Sequence, residues 1–222
     1  GNPVTLQPLR TYSLGDYLVL DHQSRRNLEI TQTVRDGNFQ GSLLWALDRT
    51  CTAMGGRALR RWILQPLLDI HSINKRQDTI QELVENTFLR QDLQHLLKRI
   101  YDIERLTGKA ASGRANARDL FALADSFLKL PELATIANQG KSPFLKTLHH
   151  VPPELEALGR DIAAHLVEHP PIHLKEGGII RPGVNTQLDE MRLSASGDLQ
   201  WIANLESIER ERTGIANLKV GF

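Results

Sequence analysis

Residues 185–214 read NTQLDEMRLSASGDLQWIANLESIERERTG, and how this stretch folds decides the architecture. Leu188, Met191, Ala195, Leu199, Ile202, Leu205 and Ile208 recur at steps of three and four, the period of one helical face. Asn185 is placed to cap the first turn, where Asp189 and Glu190 suit the positive end of the helix dipole. Gly214 supplies a C-terminal stop. About 28 residues at 1.5 Å each predict a single rod roughly 42 Å long. Gly197 weakens its middle by about 1 kcal/mol relative to alanine and could allow a bend. The last turns, ESIERER, are densely charged, with Glu206 and Arg210 four apart in the favoured orientation. A helix so long and so polar at its far end is expected to leave the globular body.

Working outward, residues 176–185 (EGGIIRPGVN) form a glycine-bearing turn before the rod. Upstream, apolar spacing predicts helices over Ser24–Ile30, Ser42–Arg49 and Met54–Leu64, the last closed by Pro66. A helix capped by Asp69 or Ser72 follows, with Ile73, Ile80, Leu83 and Val84 inward. Then come Leu89–Tyr101 (Leu93, Leu96, Leu97, Ile100), Asp119–Leu130 (Leu120, Leu123, Phe127, Leu128) interrupted at Pro131, and Pro153–Glu168 (Leu155, Leu158, Ile162, Leu166) before Pro170-Pro171. Tyr17–Leu20 suits a strand or extended segment. Residues 215–222 (IANLKVGF) alternate loosely and predict a first strand that stops in mid-element, the mark of a fragment. The expected fold class is mainly α: antiparallel helices in a core, with the rod projecting from it.

Composition agrees. Charged residues are 24%, aromatics 5% and the net charge is +1, an ordinary soluble balance with no global field to draw in nucleic acid or a membrane surface. The single cysteine, Cys51, excludes an internal disulfide, fits a reducing cytosol and reads as a small buried or half-buried thiol rather than a catalytic one. No run is long and apolar enough for a membrane span, and the N-terminus has no signal segment. Gly1 reads as a tag remnant at the head of an extended lead-in.

Motifs that carry chemistry are weak. Gly140-Lys141-Ser142 echoes a phosphate-cradling loop, but the first required glycine falls on Thr135, the preceding segment is helical and Pro143 follows, so a solvated helix–helix turn is expected. Thr107-Gly108-Lys109 lacks the hydroxyl residue after the lysine. His165-Leu166-Val167-Glu168-His169 fits H-x-x-E-H. Helical spacing would set the two histidines on one face as zinc ligands, with Glu168 activating a water and His173 four residues further on. Against zinc stand Pro170 and the lack of an identifiable third ligand, and polar residues on a solvated helix end are the plainer reading. Arg57, Arg60 and Arg61 form a basic stripe suited to phosphates or to ion pairs with acids such as Asp48, Asp69 and Glu82, the ion pairs being favoured. No catalytic centre and no metal site is assigned.

Several runs, taken in order, carry a resemblance. Leu20-Asp21-His22-Gln23-Ser24-Arg25-Arg26-Asn27-Leu28-Glu29-Ile30 is one. Thr52-Ala53-Met54-Gly55-Gly56-Arg57, with Leu59, Trp62 and Pro66, is another. Asp102-Ile103-Glu104-Arg105, Arg118-Asp119-Leu120, Glu176-Gly177-Gly178-Ile179-Ile180, Leu188-Asp189-Glu190, Glu209–Gly214 and Leu218–Phe222 complete the series. Together they resemble the core of the MutS family of bacterial mismatch-repair proteins, over essentially the whole chain from Tyr17.

The resemblance implies a lead-in at 1–16, a helical core at 17–184, a lever helix at 185–213 and the start of a β-rich clamp at 214–222. It implies a parent that encircles mismatched duplex DNA as a homodimer, recruits MutL, uses ATP and Mg, and works in the cytoplasm. No F-x-E occurs in the chain, so the family's mismatch wedge is not expected here, nor is its Walker ATPase. ATP-binding residues are therefore none, and no DNA-binding residue is assigned, although Lys219 lies near the clamp surface by position. The implied role is mechanical, with the rod reorienting at the turn 176–185 and near Gly197. Rival readings are a stand-alone helical adaptor for other proteins and, on the HLVEH run, a zinc hydrolase.

Overall fold

The computed structural model describes Gly15 and residues 17–219, and its described part is built of α-helices joined by turns. The expected lead-in at 1–16 lies, apart from Gly15, outside the described residues. Helix starts follow side-chain caps. Asp21 accepts from the Ser24 N–H at 2.8 Å and opens α1, His22–Asn27. Ser42 opens α2, Leu43–Leu47, and Thr52 opens α3, Ala53–Leu64. Asp69, rather than Ser72, caps α4, Ile70–Glu85, and Asn86 caps α5, Thr87–Leu97. Asp102 caps α6, Ile103–Ala111. Asn116 and Asp119 form a reciprocal capping box that starts α7, Ala117–Leu128, two residues before the predicted start.

Pro131 does not end a helix. It sits in the first turn of α8, Leu130–Ala137, where its missing N–H costs nothing. α9, Pro143–Thr147, and α10, Pro153–His165, also begin on proline. α11 then runs unbroken from Thr186 to Thr213, 28 residues through Gly197. It follows a short three-ten turn at Leu174–Glu176.

The core has two buried clusters. Leu89, Leu93 and Leu96 of α5 meet Ile100, Leu133 of α8 and Leu145 of α9. Leu106 of α6 meets Leu123 and Phe127 of α7, with Leu155 of α10 packed on them. Ile103 and Leu130 touch both clusters and join them. Ser126 is fully buried, yet it accepts from the Tyr101 N–H and donates to the Ala122 carbonyl, so nothing polar is stranded there.

α10 packs tightly on α7. A Cβ added at Gly159 would lie 3.0 Å from the Ala124 carbonyl oxygen and 3.1 Å from the Phe127 Cβ. α11 shares no comparable packing with any other helix among the described residues. Met191, Leu193 and Trp201 on it are well exposed.

Three local expectations are corrected. Ile80 and Val84 are exposed, while Ile73 and Leu83 turn inward as expected and Thr79 joins them. Leu128 and Leu158 likewise face out, the latter because Gly159 takes the contact face of α10. Residues 215–219 form a turn rather than a strand, with Leu218 N–H donating to Ile215 and Arg210 Nε donating to the Leu218 carbonyl. A strand needs a partner ladder, and this segment folds onto the end of α11. Residues 220–222 lie outside the described residues. At Tyr17–Leu20 the extended reading holds, as one antiparallel bridge from Tyr17 to Leu67.

Candidate functional site at the root of the long helix

Side chains and turn backbone together hold the start of α11. Asn185 Oδ1 accepts from the Leu188 N–H at 2.9 Å. Asp189 reaches back and accepts from the Gly183 N–H at 2.6 Å. Arg192 donates to Asp189 at 3.3 Å and to the Ile180 carbonyl at 3.1 Å. One turn of helix thus grips residues 180–183.

That segment is in turn bound to the end of α10. Leu166 and Ile180 form an antiparallel bridge, Val167 N–H donates to the Ile179 carbonyl, and Arg181 N–H donates to the His165 carbonyl. Arg181 Nε donates to the Leu166 carbonyl at 2.6 Å. Within this loop, Gly177, Gly178 and Gly183 have φ of +70°, +67° and +87°. Such backbone favours glycine. The result is a rigid rod on a short loop with bonded ends.

This bridge changes the reading of HLVEH. α10 ends at His165 because Leu166 turns extended to pair with Ile180. His165 and His169 are therefore not one helical turn apart, and the spacing that zinc chelation needs is not formed. His165 Nδ1 lies 2.7 Å from the Asp161 carbonyl, and Glu168 lies 3.8 Å from Arg181. No group of three metal-ligating residue types stands close enough to hold an ion among the described residues.

The phosphate-loop echoes are also placed. Residues 140–142 turn between α8 and α9, and the carboxylate of Glu82 on α4 accepts from the Lys141 N–H at 2.6 Å and the Ser142 N–H at 2.8 Å. The two N–H groups that could cradle a phosphate are thus taken by a carboxylate. The turn is packed rather than solvated, since Ser142 is buried and a Cβ at Gly140 would meet Leu145 at 2.2 Å. Thr107-Gly108-Lys109 lies inside α6, where Lys109 donates to both Asp119 oxygens at 2.8 and 2.9 Å. Cys51 is free and half-buried.

Arg57 is an ion-pair residue, as the stripe suggested, but with unforeseen partners. It donates to both Asp102 oxygens at 2.7 Å and to Glu104 at 2.7 and 3.1 Å. The fork geometry ties α3 to the start of α6. The Arg57 guanidinium holds the Asp102 carboxyl down at about 2, against an ordinary 3.8, and the paired carboxylates push the Arg57 pKa further up. Arg76 stacks on Trp62 at 3.8 Å, and Trp62 meets the ring of Phe144 at 6.2 Å. Arg118 Nε donates to the Pro170 carbonyl at 2.6 Å, joining α7 to the segment after α10.

Sequence reasoning missed Asp102, Glu104, Arg181 and Arg192. Asp102 and Arg192 stand within a cap and a helix turn that were legible. Their distant partners were not.

The comparisons agree with this architecture. The family model described as MutS domain III matches residues 23–218. The chain is 70% identical over 219 residues to the DNA mismatch repair protein MutS of Trichormus variabilis, covering 99% of this chain and 26% of that protein. It is 67% identical over 221 residues to that of Nostoc punctiforme, covering 100% and 25%. It is 64% identical over 219 residues to that of a Synechocystis species, covering 99% and 25%. The chain thus spans about a quarter of the length of the curated relatives it matches. No described helix is long and apolar enough to cross a membrane. By its helical core, its long terminal helix and a family match over nearly its whole length, the chain belongs to the MutS domain III family.

Proposed function

We propose that this chain is the core and lever of a DNA mismatch-repair protein, carrying a nucleotide-driven change from an ATPase end to a DNA-gripping clamp. The observation that carries the reading is the root of α11. A 28-residue helix, without substantial packing on another helix among the described residues, is bonded at its base to a glycine-bearing loop that is itself bonded to α10. A force applied to the core at that base becomes a displacement at the far end of a rod about 42 Å long. Transmission of this kind needs an element with two arrangements that both sites bias. The loop at 176–185 is that element, with its Leu166–Ile180 bridge to α10 parting and re-forming as the rod swings.

In this reading the parent protein acts on mismatched duplex DNA as a homodimer in the cytoplasm, with ATP and Mg bound outside this domain and MutL as a downstream partner. The domain contributes no catalytic residue and no metal ligand. The division into core at 17–184, lever at 185–213 and clamp from 214 belongs to the same proposal.

The test uses full-length protein with Cys51→Ser and the pair Leu166→Cys and Ile180→Cys, an antiparallel bridge whose Cα separation suits a disulfide. Oxidised protein should hydrolyse ATP while ATP no longer alters its residence on mismatched DNA, and reduction should restore the response. An unchanged ATP response in the oxidised protein refutes the role assigned to the loop.

A further inference from the structure

Two cavities share walls between α1 and α3. One, of about 500 Å³, is lined by His22, Arg25, Arg26 and Arg60 with the polar loop residues Gln32 and Thr33. The other, of about 380 Å³, is lined by Arg25, Arg57, Arg60, Arg61 and Gln65. Arg25, Arg60 and Leu64 belong to both, so the two form one basin. No carboxylate lines either cavity among the described residues. The nearby acids already have partners, and two of them neutralise Arg57 at the basin wall. Glu29 accepts from the Val34 N–H at 2.6 Å, and Asp102 and Glu104 hold Arg57. Arg25, Arg26, Arg60 and Arg61 have no ion pair among the described residues.

We infer that this basin is an anion site for a di- or triphosphate group, separate from the lever root. Like charges gathered in a recess repel one another, and a multivalent anion converts that repulsion into attraction. Guanidinium forks match phosphate oxygens two at a time, and the Gln32 amide and Thr33 hydroxyl supply further donors. The basin is of the size of small-ligand pockets. Among the described residues its lining contains no Phe, Tyr or Trp ring and is dominated by arginines, so phosphates rather than a nucleobase carry recognition. Its recessed form suits a compact group better than the ridge of a duplex backbone.

Calorimetric titration of the 222-residue chain with inorganic tripolyphosphate tests this. The expected result is saturable one-to-one binding, weakened at least tenfold by Arg25→Glu and by Arg60→Glu and changed less than twofold by Lys146→Glu, an exposed cation on α9. Arg60→Gln repeats the test should Arg60→Glu fail to fold. A parallel arm with ATP separates the sources. Equal affinity marks any oligophosphate as the ligand, and tighter ATP binding marks the phosphate tail of a nucleotide. Absence of saturable binding overturns the inference, as does equal loss with Lys146→Glu. So does binding of adenosine alone, or displacement of tripolyphosphate by duplex DNA or an acidic peptide at lower concentration.

Discussion

Replacing Gly159 by alanine tests the tight joint between α10 and α7. An alanine Cβ there would stand 3.0 Å from the Ala124 carbonyl oxygen, 3.1 Å from the Phe127 Cβ and 3.3 Å from the Leu128 Cγ. Leu128 is partly exposed and its side chain can swing aside. The Ala124 oxygen is backbone of a fully buried residue and moves only with α7. Relief therefore requires α10 and α7 to separate by a few tenths of an ångström, an overpacking cost of about 1–3 kcal/mol. Alanine in place of glycine in a helix offsets about 1 kcal/mol of this, leaving Gly159→Ala neutral to about 2 kcal/mol destabilising.

The matched control is Gly108→Ala. It lies within α6, where an added Cβ meets nothing within 4 Å, so it should gain up to about 1 kcal/mol from propensity alone. The contrast between the two variants isolates the contact from the propensity. Urea unfolding followed by far-ultraviolet circular dichroism should place Gly159→Ala below Gly108→Ala by about 1–3 kcal/mol, or several degrees in Tm. Equal stabilities would show that the α7–α10 interface yields freely, and the close-packing argument would be wrong.

Asp102→Asn should lower stability at neutral pH by loosening the Arg57 tie. Because the folded-state pKa lies near 2, below the ordinary 3.8, the carboxylate contribution is complete above about pH 4 and fades as pH falls through 2. Thermal unfolding at stepped pH should show the wild-type advantage shrinking over that window, and an advantage that persists at pH 2 would contradict the assignment. Glu82→Ala should leave the Lys141 and Ser142 N–H groups without their acceptor, a loss of about 1–3 kcal/mol. Hydrogen exchange should then quicken at those two amides and in α9 before the α7–α10 layer responds. Gly197→Ala meets no atom within 4 Å and should raise helix stability by up to about 1 kcal/mol. In full-length protein it should preserve the ATP response if the loop at 176–185 is the hinge, and weaken it if Gly197 bends.

The residues that carried the family resemblance prove to be joints more than surface features. Arg57 and Asp102 lock α3 to α6, Asp119 caps α7 while holding Lys109, and Arg118 anchors Pro170. Their roles as caps were within reach of the sequence, since a cap acts over three residues. Their roles as ties were not. Arg57 and Asp102 are 45 residues apart, and no spacing rule links them.

The amino-acid order by itself determined most of the helical segments, α6 and α9 excepted, and that the last is one long rod. Those outcomes depend on interactions within a few residues: caps, periodic apolar faces, prolines and the Gly214 stop. The buried faces of α5 and α7 were legible, since Leu93, Leu96, Leu123 and Phe127 are buried as their spacing predicts, but tertiary structure decided the buried face of α4 and α10. It turned Ile80, Val84 and Leu158 outward and set Gly159 against Ala124. It also decided where α10 stops, since the bridge from Leu166 to Ile180 draws the chain out of the helix and separates two histidines that sequence spacing alone had put on one face. The Leu166–Ile180 bridge and the Arg57–Asp102 ion pair share the same physical reason: each needs a partner from a distant part of the chain, and only folding determines which partner arrives.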